Sequence, residues 1–278
     1  MTSVGAWLAA HADLDRRDRE VLLCAAAGLT RAQLISRPET PLCASVEQRL
    51  NAWAGRCRQG EPLAYVTGRK EFWGLELEVT PQVLVPRPET ELLVEQALER
   101  IAARQSGPVD VLELGTGSGA VAIAIALEAA SRHLAVTVTA TDVSAGALGV
   151  ATENARRLGA CVRWIESDWF AQLATRFELI VCNPPYVSAG DPHLHALTYE
   201  PSLALVSGDD GLAALRRIAA AAPAHLHDGG WLLLEHGFEQ GPAVRELLGA
   251  AGFEQIETLP DLAGLDRVTR GQLRRPRK

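Results

Sequence analysis

Phe177-Glu178-Leu179-Ile180-Val181-Cys182-Asn183-Pro184-Pro185-Tyr186 is the stretch on which the reading of this chain turns. Leu179 to Cys182 is a short apolar run rich in β-branched residues, the pattern of a buried strand. It stops at two prolines, which cannot donate ladder hydrogen bonds and which fix φ near −65°. Pro184 pushes Asn183 into an extended conformation, and Pro185 does the same to Pro184. A stiff loop at the carboxyl end of a strand is where open α/β sheets bind ligands. Asn183 offers a side-chain carbonyl there, and Pro184 a backbone carbonyl that moves little. Two acceptors at fixed spacing suit a planar –NH2 group with its two N–H donors. Tyr186 adds an aromatic face for a flat substrate or a cation. The plainer alternative is a Pro-Pro turn closing a strand, with Asn183 bonding its own backbone.

Upstream, the pattern alternates strand and helix. Asp110–Leu114 reads as a strand and runs into Gly115-Thr116-Gly117-Ser118-Gly119, followed by a helix over Ala120–Ala130. Val136–Ala140 is the next strand and leads to Asp142; Ser144 caps a helix reaching Leu158. Val162–Ile165 is a third strand, ending at Asp168-Trp169. Beyond the opening stretch, Ala213–Ala222 and Pro242–Ala250 read as helices, and Trp231–Glu235, Phe253–Thr258 and Arg267–Leu273 as strands. This alternation predicts an α/β fold with a mostly parallel sheet covered on both faces.

The glycines of the 115–119 loop allow a tight turn and close approach to a ligand. Their spacing, G-x-G-x-G, lacks the full dinucleotide fingerprint. Asp142 lies 23 residues beyond Gly119, at the end of the next strand, where a carboxylate can accept from two ribose hydroxyls. The glycine loop, Asp142, Asp168-Trp169 and Asn183–Tyr186 would line one crevice across neighbouring strand ends.

Residues 1–68 read as a small helical bundle. Arg19–Ala27 is periodic and ends at Gly28; Thr30 caps a short helix to Ile35, and Ser45 another to about Cys57. No catalytic constellation stands out, and His11 reads as a surface residue. Residues 69–87 form a hairpin, with Leu75, Leu77 and Val79 on one face, a turn at Thr80-Pro81-Gln82 and a return over Val83–Val85. Pro88 opens a helix that continues through Leu92–Ile101, with Arg87 and Glu89 either part of that helix start or facing a cleft.

Composition sets limits. The 278 residues allow about two domains. A net charge of −7 argues against a surface built mainly for nucleic acid. Five cysteines without C-x-x-C spacing fit reduced thiols in a cytoplasmic protein, with neither a disulfide frame nor a metal site. Charges at Asp13, Asp15, Arg16, Arg17 and Asp18 exclude a secretory apolar region within residues 1–30, and no apolar run approaches a membrane span. The basic end, Arg274 to Lys278, reads as a short solvated tail.

Several blocks together carry a family resemblance. Glu113 to Gly119 with Asn183-Pro184-Pro185-Tyr186 resembles the class I S-adenosylmethionine-dependent methyltransferases that alkylate planar nitrogens. Glu61 to Tyr65 with Gly68, Glu71-Phe72-Trp73-Gly74, Val85 to Glu91 and Leu232 to Gly237 narrow this to the HemK-type release factor glutamine methyltransferases. The resemblance runs from about Glu61 onward; before that it rests on helical character. It implies a Rossmann-like sheet of seven strands, the last antiparallel, over residues 88–278, joined by the hairpin at 69–87 to a helical substrate-docking domain at 1–68. It implies S-adenosylmethionine as cofactor and S-adenosylhomocysteine as product. Gly115, Thr116, Gly117, Ser118 and Gly119 would cradle the methionine part, Asp142 the ribose, and Asp168 and Trp169 the adenine. Asn183, Pro184, Pro185 and Tyr186 would hold and activate the glutamine amide of a Gly-Gly-Gln loop in peptide chain release factors, with Asn183 also near the cofactor. A monomer without nucleic-acid or membrane partners is expected. The competing readings are an amino-group methyltransferase of adenine or guanine in DNA or RNA, whose –NH2 needs the same two acceptors, and a non-catalytic cofactor-binding scaffold.

Overall fold

The computed structural model describes residues 2–104 and 107–275. Of the basic tail, residues 276–278 lie outside the described residues. The chain divides into two compact units, residues 1–69 and 70–278.

The first unit is helical: α1 (Val4–Ala10), α2 (Arg16–Ala27), α3 (Arg31–Ser36), α4 (Ala44–Arg58) and α5 (Leu63–Thr67). Local chemistry sets most boundaries. Ser3 and Asp15 cap α1 and α2 through their side chains, and Gly28, at φ 67°, closes α2 in the left-handed region that glycine tolerates. Thr30 and Gln33 form a reciprocal capping box at α3. Ser45 is not the cap of α4: that helix begins one residue earlier, after Cys43, which makes no side-chain capping bond. Val4, Trp7, Leu22, Leu23, Leu34 and Leu50 form the core of this unit. His11 is more engaged than a surface residue: its ring stacks on Trp7 at 4.1 Å, and Nδ1 pairs with the Trp7 carbonyl.

The second unit opens with a hairpin of β1 (Arg69–Phe72) and β2 (Leu75–Glu78). The expected return strand over Val83–Val85 does not form. Trp73 and Gly74 both take positive φ, 53° and 70°, which closes a two-residue turn ahead of Leu75. Pro81 and Pro86 bracket Val83–Val85 and deny it a ladder. A single 3₁₀ turn, Pro88–Thr90, leads into α6 (Glu91–Ala102).

There follow β3 (Val109–Leu114), α7 (Ala120–Ser131), β4 (Val136–Asp142), α8 (Ala145–Leu158), β5 (Arg163–Glu166), β6 (Phe177–Cys182), α9 (Ala213–His225), β7 (Leu226–Glu235), α10 (Gly241–Ala250), β8 (Phe253–Pro260) and β9 (Asp266–Leu273). The sheet order is β5-β4-β3-β6-β7-β9-β8, and β9 runs antiparallel to both its neighbours. This is the seven-stranded, mostly parallel arrangement expected from the alternation of elements.

Alternate residues of the central strands feed two cores. Val111, Leu179, Val181 and Leu233 pack with α6 and α7, while Leu112, Leu114, Ile180, Leu232 and Leu234 pack with α9 and α10. Residues Ala120 to Ile125 of α7 are all buried, so this helix lies apolar on nearly every side. The sheet order reverses direction between β3 and β6, and the ends of those strands meet the glycine loop and Asn183. Among the described residues, no helix is long and apolar enough to cross a membrane.

Candidate active site

A cavity of about 640 Å³ opens over the carboxyl ends of β3, β4, β5 and β6. One end is formed by Gly115, Thr116, Gly117 and Ser118 after β3, Asp142 at the end of β4, and Asp168 with Trp169 after β5. The other is formed by Asn183 and Pro185 after β6, Arg87 and Thr90 before α6, and Pro201, Leu203 and Ser207 from the loop leading to α9.

The glycine loop is positioned by its own neighbours. Gly115, Gly117 and Gly119 all take positive φ, at 69°, 55° and 83°. A Cβ on Gly117 would meet nothing within 4 Å, so the backbone faces open space there. Gly119 has a different task. It does not line the cavity; a Cβ there would come within 3.2 Å of Ile123, Ala151 and Trp164, so the glycine lets α7 sit close against α8 and β5. Asp142 accepts from the backbone N–H of Gly117 at 2.9 Å and of Ser144 at 2.9 Å, which ties the second strand end to the loop.

Two buried side chains to which the sequence reading gave no role complete this end. Glu113, 4% exposed, accepts from the Thr116 hydroxyl at 2.6 Å and the Ala122 N–H at 3.0 Å. Burial nevertheless pushes its carboxyl up to about 8. Asn154 of α8, fully buried, accepts from the Glu78 N–H and donates to the carbonyls of Glu78 and Ser118. It holds β2 and the glycine loop to one helix. Trp169 takes φ 52°, and its carbonyl accepts from the Ser167 hydroxyl at 2.9 Å. Asp168 pairs with Arg217 of α9 at 2.6 Å.

The acceptor end is assembled from distant segments. Asn183 Nδ2 donates to the Thr90 hydroxyl at 3.1 Å, across 93 residues of sequence. That bond uses one of the two Nδ2 hydrogens and fixes the amide with Oδ1 able to accept from a ligand. Arg87 pairs with Glu200 at 2.5 Å, and the other oxygen of that buried carboxylate accepts from the Val85 N–H at 3.1 Å. The loop carrying Glu200 is zipped to the chain beyond Tyr186: Val187 N–H donates to Leu205 C=O, and Ser207 N–H to Val187 C=O, both at 2.9 Å. Arg87 therefore faces the cavity, while Glu89 is exposed and does not line it.

Of the Asn183–Tyr186 quartet, Asn183 and Pro185 line the cavity, and Pro184 is buried. The Tyr186 ring is not offered to a ligand. It packs into the core shared with α9 and α10, and its carbonyl accepts from Gln240 Nε2 at 3.0 Å. Burial pushes its hydroxyl up to about 12. Glu235, at the end of β7, was also missed. It is 1% exposed, and burial pushes it up to about 7.

The residues present fit S-adenosylmethionine. The backbone at Gly117 faces free space, Asp142 offers a carboxylate beside it, and the Trp169 ring lies against Gly115. A doubly wound seven-stranded sheet with such a cleft at its switch point belongs to a class I S-adenosylmethionine-dependent methyltransferase. Comparison with known proteins narrows this. Residues 5–68 match the family model of the PrmC N-terminal domain, and residues 88–199 that of the methyltransferase small domain. The release factor glutamine methyltransferase of Pseudomonas aeruginosa is 49% identical over 92% of each chain. That of Xylella fastidiosa strain Temecula1 is 47% identical over 98% of each. The chain belongs to the release factor glutamine methyltransferase family. The fold is also that of the T. thermophilus 16S rRNA N2 G1207 methyltransferase solved with AdoMet and guanosine. That likeness has a TM-score of 0.55 and 21% identity over 74% of this chain and 50% of that one.

Proposed function

We propose that this enzyme methylates the side-chain amide of the glutamine in the Gly-Gly-Gln loop of peptide chain release factors, and so modulates translation termination. The observation that carries the reading is the Asn183–Thr90 hydrogen bond, which leaves Asn183 Oδ1 as an acceptor at the cavity wall. A primary amide presents two N–H donors in one plane. Asn183 Oδ1 and the Pro184 carbonyl would take one each.

S-adenosylmethionine supplies the methyl group on a sulfonium sulfur, a strong electrophile. The chain's own task is to make a poor nucleophile available. An amide nitrogen shares its lone pair with its carbonyl; two acceptors on its hydrogens draw density back to nitrogen and fix the plane of the group. Such positioning is worth several kcal/mol, up to about 7–11 in favourable systems. Once alkylated, the nitrogen is strongly acidic and sheds its proton without a strong base. Gly115 to Ser118 would hold the methionine part of the cofactor, Asp142 the ribose, and Asp168 with Trp169 the adenine.

A macromolecular substrate needs contacts beyond one glutamine, and residues 1–68 are the proposed docking domain. Residues 70–278 alone would then bind cofactor yet methylate release factor poorly. The protein is proposed to act as a cytoplasmic monomer with no direct nucleic-acid partner. The deciding experiment incubates it with labelled S-adenosylmethionine and purified release factor and locates the label by mass spectrometry. Label on the glutamine amide is expected. Label on an adenine or guanine amino group of added RNA or DNA, with none on release factor, would replace this reading.

A further inference from the structure

A hydroxyl can satisfy a neighbouring amide in two ways, accepting from its N–H or donating to its oxygen. The two leave opposite ends of the Asn183 amide facing the cavity. Which one holds depends on where the Thr90 proton goes. Thr90 is 5% exposed, and its hydroxyl lies beside the buried carboxylate of Glu235. Neither carboxylate oxygen of Glu235 has a partner in full hydrogen-bond geometry among the described residues, although the hydroxyls of Thr90 and Tyr186 lie close enough to favour its ionised form. A buried carboxylate left in that state is costly, and a buried polar group without partners calls for an explanation.

The other groups around Glu235 are occupied. Arg267 of β9 is bound to Asp261 and to the His236 carbonyl. His236 pairs through Nδ1 with the Gly237 carbonyl and through Nε2 with Thr269. The Cys182 thiol donates to the Leu114 carbonyl. Glu89, on the turn before α6, brings a like charge. Among the described residues, the donors free to turn toward Glu235 are the two hydroxyls.

We propose that Glu235 is a positioning residue that acts through the Thr90 hydroxyl to hold the Asn183 amide with its oxygen toward the acceptor substrate. The ionised carboxylate draws the Thr90 proton. Thr90 Oγ1 then offers Asn183 only lone pairs, so Asn183 gives its N–H and presents Oδ1. Tyr186, whose hydroxyl stays protonated, is the second donor to the same carboxylate. Protonated Glu235 brings its own hydrogen into the cluster. The Thr90 proton is then free for Asn183 Oδ1, the amide turns over, and an N–H faces the N–H of the substrate. Burial places this change near neutral pH.

The inference rests on the proposed amide-transfer reading for its kinetic arm alone, so the test has two arms. In the first, the full chain is labelled with ¹⁵N, and the side-chain amide signals of Asn183 are identified by their loss in Asn183→Asp. They are expected to shift with pH, with a midpoint near neutrality. The shift should vanish in Glu235→Gln and Thr90→Val and persist in Thr90→Ser. Signals that do not titrate, or that titrate unchanged in Glu235→Gln, would overturn the inference. Thr90→Val keeps the shape of a buried side chain and carries this arm if Glu235→Gln is unstable.

In the second arm, single-turnover methylation of release factor is followed at saturating cofactor. Thr90→Val should be slower by about 10-fold or more, the cost of leaving a buried donor unpaired, and Thr90→Ser should recover to within about threefold. Cofactor affinity should be unchanged in both. Thr90→Val at the wild-type rate, or Thr90→Ser as slow as Thr90→Val, would sink the positioning role. A wild-type protein that methylates no glutamine, but whose Asn183 signals titrate as described, would remove the substrate reading and leave the inference standing.

Discussion

The glycine-loop end of the cavity, the proposed cofactor end, is held together mainly by residues close in sequence or on adjacent strands, with Asn154 to Glu78 as a long-range tie, whereas the Asn183 end, the proposed acceptor end, is held by side chains far apart along the chain. Glu113, Thr116 and Ala122 form one local cluster, and Asp142 reaches across a single strand neighbour to Gly117. At the other end, Asn183 depends on Thr90, and the facing wall on the Arg87–Glu200 pair, separated by 113 residues. A ligand common to many enzymes can be bound by a backbone shape. A substrate-specific clamp needs groups from several segments brought to one point, so its geometry fails if any one of them is removed. The two ends should therefore respond differently to mutation.

The largest difference is expected at Asn183. Asn183→Ala should lower kcat by about 10²–10³-fold, as removal of one preorganised hydrogen-bonding group does elsewhere. Its affinity for S-adenosylmethionine, measured by calorimetry, should barely move. Asn183→Asp keeps an acceptor oxygen but loses the N–H that Thr90 accepts, and it adds a charge to the cluster containing Glu235. It should fail almost as badly as alanine. An Asn183→Ala protein with wild-type single-turnover methylation would falsify the amide-clamp mechanism.

Asp142→Ala should show the opposite profile. Hydrogen bonds to a charged acceptor are worth about 1.5–3 kcal/mol, so cofactor affinity should fall roughly 10- to 150-fold. The carboxylate also ties Gly117 and Ser144, so some of that loss comes from a looser glycine loop. At saturating cofactor, kcat should stay near wild type. A kcat loss as large as that of Asn183→Ala would mean that the two ends are not separable.

A smaller effect tests the acceptor end through its backbone. Gly211 sits at φ 74°, and a Cβ there would come 2.3 Å from the Tyr186 carbonyl oxygen. Gly211→Ala must shift that carbonyl away from Gln240 and strain its own backbone by about 1–2 kcal/mol. A fall in Tm of about 2–8 °C follows for a domain of this size. Methylation should slow while cofactor affinity holds; a change confined to cofactor affinity would contradict the division.

The same division separates what could be read in the sequence from what could not. Strand, glycine loop and helix from Val109 to Ser131 are a local pattern, and so are the Pro-Pro stop after Cys182 and the acid at the end of β4. Pairing is not local. The sequence pairs Leu75–Glu78 with Val83–Val85, and its actual pairing with Arg69–Phe72 comes from a tight turn in which a tryptophan adopts positive φ, which composition does not announce. Thr90, Asn154 and Glu200 are single polar residues in otherwise ordinary segments, and their roles exist only once distant strands are aligned. Glu235 left a usable signal. An acid that follows Leu232-Leu233-Leu234 without a break is an acid at the end of a buried strand.

The smallest effect sets the two buried acids against each other. Glu113 at the glycine-loop end has two hydrogen-bond donors, and Glu235 at the Asn183 end has none in full hydrogen-bond geometry, with the Thr90 and Tyr186 hydroxyls nearby. Burial disfavours the ionised form of both relative to the unfolded chain: Glu113 is pushed from 4.5 up to about 8, and Glu235 from 4.5 up to about 7. A raised folded-state pKa means that the unfolded chain releases its proton first. The stability contributed by burying the neutral acid is therefore complete below the unfolded value and is lost as pH rises toward the folded value. For Glu235 that loss should end near 7, and for Glu113 near 8. Thermal melts across this range should show Tm of the wild type declining with pH, less steeply in Glu113→Gln and in Glu235→Gln. The two variants should part between about 7 and about 8, where only Glu113 is still releasing its proton, so that Glu113→Gln is flat and Glu235→Gln follows the wild type. Equal slopes in all three proteins over that last interval would mean that the Thr116 and Ala122 donors already hold Glu113 ionised, and that the cofactor end carries a buried negative charge beside Asp142 at neutral pH.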